Sequence, residues 1–345
     1  MRLQFAALAA LAAACTPAPP PAATKVAGEQ IVNVYTSRHY DADNALFDQF
    51  SEKTGIEVRV LSLEGPQLLE RLKAEGELTQ ADLILTVDAG NLGRLKEAGA
   101  FQPVESPILR EAVPERLREP AGEWWGVSRR ARVMVYAKGR YTPGAAPSMD
   151  DLAKPALKGK VCARSSTNTY NLSLLSARIE RDGAEKAKAW AKGVAANLAR
   201  PPQGSDTDQL RAVAAGVCEV AIVNHYYLLR LRRSTDPADQ KVAEALDIAL
   251  PDQAGAGAHV NVSGAGVSAY AKHKEQAVAL LEYLVSVEAQ GQLAALNDEF
   301  PVRADAPTPP EFAPFMGMKE ESVPLSALAA RQSEAQQIYD SVGWR

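Results

Sequence analysis

Four tyrosines and two histidines fall in three short segments, and the tyrosines with His39 could share one site: Thr36-Ser-Arg-His-Tyr40, Arg164-Ser-Ser-Thr-Asn-Thr-Tyr170 and Asn224-His-Tyr-Tyr227. A phenolate oxygen is a hard anionic donor. Its ordinary pKa is about 10, so a tyrosine gives up its proton near neutral pH only beside a strongly charged metal. Hard, highly charged cations take oxygen donors, and ferric ion is such a cation. Tyr40, Tyr170, Tyr226 and Tyr227 would supply four phenolates and His39 one neutral imidazole nitrogen, leaving one position for a small anion or water. Four phenolates around a triply charged ion leave one excess negative charge. Arg38, Arg130 and Arg132 stand close enough in sequence to offset it or to hold the anion.

A single tyrosine at a strand end is usually a packed ring with its hydroxyl in water, and Tyr35, Tyr136, Tyr141, Tyr270, Tyr283 and Tyr339 read that way. The adjacent pair Tyr226-Tyr227 at a helix start, together with His39-Tyr40 after a strand, is hard to obtain from packing alone. His225 reads as solvent-facing or as a supporting neighbour of the tyrosines, and His259 and His273 have no metal-ligand spacing to anything. The pairs Asp41/Asp43, Asp150/Asp151 and Asp206/Asp208 could suggest acid–base chemistry, but each opens a helix, where capping explains it better. Trp124-Trp125 could line a pocket; at a lobe boundary, packing between lobes is the better reading. No nucleophile elbow, zinc-protease helix, phosphate loop or dinucleotide glycine signature is present in the sequence.

The elements that must carry these residues alternate. Residues 31–35 read as a strand, 43–55 as a helix stopped by Gly55, 57–63 as a strand, 68–74 as a helix, 81–87 as a buried strand and 92–98 as a helix ended by Gly99. Alternation of this kind predicts a mainly parallel sheet with helices on its faces. A second α/β region follows, with strands at 131–137, 160–163 and 217–223, helices at 184–199 and 206–215, a strand-like stretch at 259–267 and an amphipathic helix at 275–285 that returns to the first region. The expected lobes are 30–125 plus about 260–302, and 126–259 plus about 303–345. Ligands of open α/β sheets bind beyond the carboxyl ends of strands, and three of those ends carry the tyrosines.

The 345 residues suit two domains, with 46% apolar and 6% aromatic side chains. Thirty-eight basic against forty-two acidic side chains give a net charge of −4, which offers no electrostatic case for nucleic acid or an anionic membrane as partner. Residues 1–14 read as an export signal and 15–29 as a flexible, proline-rich linker. Ala12-Ala-Ala-Cys15 resembles a bacterial lipobox, which would acylate Cys15, although Ala12 stands where a large aliphatic residue is usual; ordinary signal cleavage is the alternative. In an oxidising compartment Cys162 and Cys218 are expected to pair as one disulfide, two buried free thiols being the other option.

At these residues the chain resembles the ferric-iron-binding proteins of bacterial ABC importers, within the type II periplasmic binding protein superfamily. The resemblance spans about 31–302 and rests on Ser37-Arg-His-Tyr-Asp41, Ala81-Asp-Leu-Ile-Leu-Thr-Val-Asp88, Ser128-Arg-Arg-Ala-Arg132, Gly159-Lys-Val-Cys-Ala-Arg-Ser-Ser166, Pro202-Gln-Gly-Ser-Asp-Thr-Asp-Gln209, Asn224-His-Tyr-Tyr227 and Asn261-Val-Ser-Gly-Ala-Gly266. It implies a two-lobed fold with a hinge and a central cleft, and His39, Tyr40, Tyr170, Tyr226 and Tyr227 as ligands of the branch with one histidine and four tyrosines. It further implies a monomeric, non-enzymatic periplasmic protein that closes on Fe(III) and delivers it to a permease with a cytoplasmic ATPase. Threonine is common in the family where this chain has His225. Two other classes compete: a binding protein for an organic solute of thiamine or polyamine type, and an Fe(III) non-haem enzyme, which would need more histidine ligands than His39 provides.

Overall fold

The computed structural model of the chain describes residues 30–38 and 40–345. The expected export signal, the linker with Cys15, and His39 lie outside the described residues.

The first unit alternates as expected: β1 (Ile31–Thr36), α1 (Asp41–Thr54), β2 (Glu57–Ser62), α2 (Gly65–Glu75), β3 (Leu83–Val87) and α3 (Ala89–Glu97). Gly55 ends α1 at φ 75°, a left-handed conformation that costs glycine nothing. β1 pairs in parallel with both β2 and β3. A short helix, α4 (Pro107–Ala112), then leads to β4 (Trp125–Ala137), which begins six residues before the expected strand because Ser128, Arg129 and Arg130 interrupt its apolar run. Beyond it come β5 (Val161–Cys162), α5 (Thr169–Asp182), α6 (Ala184–Asn197), α7 (Asp206–Ala214), β6 (Val220–Asn224), α8 (His225–Arg233), α9 (Pro237–Glu244) and β7 (Leu246–Ala249). β8 (Val260–Val267), α10 (Lys274–Leu284), α11 (Val287–Asn297) and α12 (Leu328–Val342) complete the order. β6 starts later than expected, since Val217 is exposed, and α5, α11 and α12 were not foreseen.

The strands run in the order β2-β1-β3-β8-β4-β6-β5, with β7 also on β4. The expectation of a mainly parallel sheet holds for β2, β1 and β3 and fails at β4 and β8: β8 is antiparallel to β3 and β4, and β4 is antiparallel to β6 and β7. Alternation along the chain reports local connections, whereas β4 and β8 are long strands that pass between two regions and run against their neighbours in each. The amino-terminal half of β4 pairs with β8, and its carboxyl half with β6 and β7.

One apolar cluster packs β1, β3 and β8 against α1, α3 and α10, and includes Trp124 and Trp125, whose rings are therefore core rather than pocket wall. Two more flank the second sheet region, one around Val133, Leu228 and Phe300, the other around Met134, Leu175, Trp190 and Trp344. Cys162 and Cys218 are joined by a disulfide, with Cα atoms 5.9 Å apart. Among the described residues no helix is long and apolar enough to cross a membrane.

Candidate metal centre

Each candidate tyrosine stands at a helix amino terminus. Tyr40 is the extended residue just before α1, Tyr170 is the second residue of α5, and Tyr226 and Tyr227 are the second and third of α8. Unsatisfied N–H groups and the helix dipole make such ends favourable for negative charge, so three helices point their positive ends toward one place. α5, whose start the sequence reading left as loop, is what aims Tyr170.

The hydroxyls of Tyr40 and Tyr226 are 3.5 Å apart, and those of Tyr226 and Tyr170 are 3.4 Å apart. Tyr226 is fully buried at the centre and also accepts from Asn224 Nδ2 at 3.4 Å. Tyr227 lies with its ring tilted against Tyr226, centroids 4.4 Å apart. Cis oxygens on a small octahedral ion, with bonds of about 2 Å, are about 3 Å apart, so the cluster is a few tenths of an ångström wider than such a shell. Burial drives the Tyr226 phenol well above its ordinary pKa, with the neighbouring tyrosines adding to the effect. Burial also raises Tyr227 and Tyr40, helped at Tyr40 by the charge of Glu299 and opposed by Arg38. Tyr40, Tyr226 and Tyr227 therefore hold their protons at neutral pH. Among the described residues no three His, Cys, Asp or Glu side chains are grouped to hold a metal.

Arginines line the cluster. Period-two alternation puts Ser128, Arg130 and Arg132 on one face of β4. Arg38 forms a two-pronged ion pair with Asp43 (2.8 and 2.9 Å), donates to Ser128 at 2.9 Å, and lies 3.3 Å from Glu299. Its guanidinium sits 4.8 Å from the Tyr40 ring centroid. Arg130 reaches Asp88 at 3.4 Å and Ser263 at 3.3 Å beneath Tyr170. Arg132 bonds Asp206 at 3.0 Å and Asn171 at 2.9 Å. All three arginines are buried beside the tyrosines.

Two participants were missed. Arg230 stacks its guanidinium within 4.6 Å of the Tyr226 ring centroid and 4.9 Å of the Tyr40 ring centroid, held by the Asn297 side chain at 2.6 Å. Its spacing, four residues after Tyr226 on one helix, was the available signal. Glu299, buried, accepts from Ser128 and Asn297 and comes from a segment with no sequence link to the tyrosines.

Two readings change. His225 is neither solvent-facing nor beside the hydroxyls: it is fully buried, stacked on Phe300 with centroids 3.8 Å apart, and its Nδ1 accepts the Ala131 N–H at 3.2 Å. Burial lowers its pKa to about 3, so it is neutral. Of the aspartates read as caps, only Asp151 and Asp208 belong to capping boxes, with Ser148 and Ser205 as the caps; Asp43 and Asp206 are buried partners of Arg38 and Arg132. His259 pairs with Glu321, and His273 pairs with Asp82 at 2.9 Å. A cavity of about 230 Å³ lined by Arg38, Tyr40, Asp43 and Asn44 opens beside Tyr40.

Residues 35–291 match the model of the bacterial extracellular solute-binding protein family, and the chain belongs to it. It is 44% identical to iron uptake protein A1 of Synechocystis sp., over 92% of this chain and 88% of that one. It is 26% identical to the major ferric iron-binding protein of Neisseria meningitidis serogroup B, over 98% of each. Among solved structures, Trichodesmium IdiA (FutA) in complex with iron and citrate superposes with a TM-score of 0.87 at 45% identity, covering 91% of this chain and all of that one. The ferric binding protein of Campylobacter jejuni gives 0.87 at 39% identity, again over 91% and 100%. The fold is therefore the two-lobed α/β fold of periplasmic binding proteins.

Proposed function

We propose that this protein captures Fe(III) in the cleft between its lobes and delivers it to an ABC importer, catalysing nothing itself. The observation that carries this reading is the meeting of the Tyr40, Tyr170 and Tyr226 hydroxyls at 3.4 and 3.5 Å in a buried, arginine-lined place. Tyr227 and His39 complete the ligand set of this reading, and a small anion such as citrate, or water, takes the remaining position. With four phenolates on Fe(III) one negative charge is in excess, and Arg230, stacked against three of the rings, offsets it. Because Tyr40 follows β1 whereas Tyr170 and Tyr226 follow β5 and β6, the ion itself draws the lobes together, and affinity is coupled to closure. The lobes of this reading are 30–125 plus about 260–302 and 126–259 plus about 303–345. A monomer that works in the periplasm, docks to a permease with its cytoplasmic ATPase, and is held to the membrane by a lipid on Cys15 completes the reading.

Ferric citrate added to the purified apoprotein tests it. Phenolate-to-iron charge transfer should give an orange to red complex, and Tyr226→Phe with Tyr227→Phe should lose it. A colourless protein that takes up no Fe(III) would overturn the reading and restore the organic-solute alternative.

A further inference from the structure

We infer that the carboxyl-terminal helix α12 is a positioning element for Tyr170, an inference that rests on the ferric reading of the tyrosine cluster. Tyr170, the second residue of α5, closes an arch, residues 164–171, that joins the two-residue β5 to that helix. The last turns of α12 and the residues after it grip that arch on both sides of the tyrosine. Trp344 Nε1 donates to the Arg164 carbonyl at 2.9 Å, Gln336 Nε2 to Ser166 Oγ at 3.4 Å, and the Tyr339 hydroxyl to the Asn171 carbonyl at 2.9 Å. Tyr339 and Trp344 are fully buried, their rings 4.8 Å apart, and the Trp344 ring also contacts Trp190 of α6. The grip is therefore a packed joint rather than a surface contact. Asn171 closes the arch from inside: its Nδ2 donates to the Arg164 and Ser165 carbonyls at 3.0 and 3.1 Å, and its Oδ1 accepts from Arg132.

The other end of α12 is seated on α3, in the opposite region of the sheet. A Cβ at Gly93 would lie 2.3 Å from the Ala329 Cβ, and one at Gly90 would lie 1.7 Å from Gln332 Nε2, so these glycines allow an approach that no larger residue permits without movement. Gln332 in turn reaches Ser173, which donates to Asp88 at the start of α3. One helix thus spans from α3 to the backbone on either side of Tyr170. Ligand geometry tolerates misplacement of only about 0.5 Å, so a support of this kind sets how well Tyr170 meets an ion arriving from the Tyr40 side.

The test is a double-mutant cycle read by competition for Fe(III) with citrate. Tyr339→Phe removes one hydroxyl and should weaken ferric binding about fivefold, as expected for one net hydrogen bond. In a Tyr170→Phe background the same change should cost less than about twofold, because the ligand it positions is gone. Gly93→Ala should likewise weaken binding, and adding Ala329→Gly should restore it; this pair serves if Tyr339→Phe does not fold. Wild-type affinity in both Tyr339→Phe and Gly93→Ala overturns the inference while leaving ferric binding standing. An equal loss with and without Tyr170 also overturns it, since the effect is then general destabilisation. A wild-type chain that binds no Fe(III) removes the functional reading and this inference with it.

Discussion

Tyr40, half-buried, reaches the cluster from just beyond β1, whereas Tyr226, fully buried, reaches it from the first turn of α8. Their supports differ in the same way. Around Tyr40 the work is electrostatic: Arg38 is locked to Asp43 and Glu299 and lies over the ring. Around Tyr226 it is packing and backbone: α8 is buried along one side, His225 turns the other way into Phe300, Phe312 and Phe315, and the Cys162–Cys218 bond ties β5 to the segment before β6. The lesson is one of preorganisation. The Tyr170, Tyr226 and Tyr227 side is fixed by packing, and the position of Tyr40 depends on a salt-bridged arginine; under the proposed function the first would be the preformed part of the site.

That comparison is broken most directly by removing the two hydroxyls in turn. Tyr226→Phe should weaken ferric binding by more than about 100-fold, above the 10- to 100-fold typical of outer partners of a metal ligand, and Tyr40→Phe should cost less because its neighbours remain assembled. Equal losses would mean that the two sides are organised alike.

The Arg38–Asp43 pair sharpens it further. Asp43→Ala leaves a buried guanidinium without its main partner and should destabilise the apoprotein by about 3–5 kcal/mol, measured by denaturant unfolding, because breaking a buried pair strands a charge. Ferric affinity should fall with it, by about 10-fold or more.

Proton competition gives a third handle. Burial raises the phenols of Tyr40, Tyr226 and Tyr227, so binding an ion must displace their protons, and each displaced proton weakens binding tenfold for every unit the pH falls. Iron should therefore leave on acidification, and retention of full occupancy well below pH 5 would contradict phenolate ligation. Stability of the apoprotein has its own acid limb. The pKa of His225 is depressed to about 3, below its unfolded value near 6.5, so its contribution is present above about 6.5 and is lost as pH falls toward 3, with a slope of at most about 1.4 kcal/mol per pH unit. His225→Phe should flatten that limb in a pH series of unfolding curves.

The smallest effect on iron is expected from the disulfide. Replacing Cys162 and Cys218 by alanine opens a link between residues 56 apart and should cost about 4 kcal/mol of stability in the loop-closure view, with ferric affinity changed only slightly. A large loss of affinity would mean that the bond positions the Tyr170 and Tyr226 arms directly.

The sequence by itself determined the local facts. Strand ends followed by tyrosine, the helix stop at Gly55, the β-then-α rhythm of the first unit, and two cysteines expected to pair all follow from residue types and short-range periodicity, which act within a turn or a strand. Tertiary structure decided everything that depends on which distant segments meet. Arg130 and Arg132 could be named from sequence, but that Arg38 would lie against Ser128 and Glu299, and that Asp206 would hold Arg132 rather than cap a helix, depends on which distant segments meet at β4. Glu299 and Asn297 enter only because α11 ends beside α8, and His225 departs from Tyr226 because successive residues of a helix point about 100° apart, here into an aromatic cluster. The antiparallel course of β4 and β8 and the reach of α12 from α3 to Tyr170 were invisible for the same reason: long-range pairing is selected by the burial of whole faces, which no local pattern of residues records.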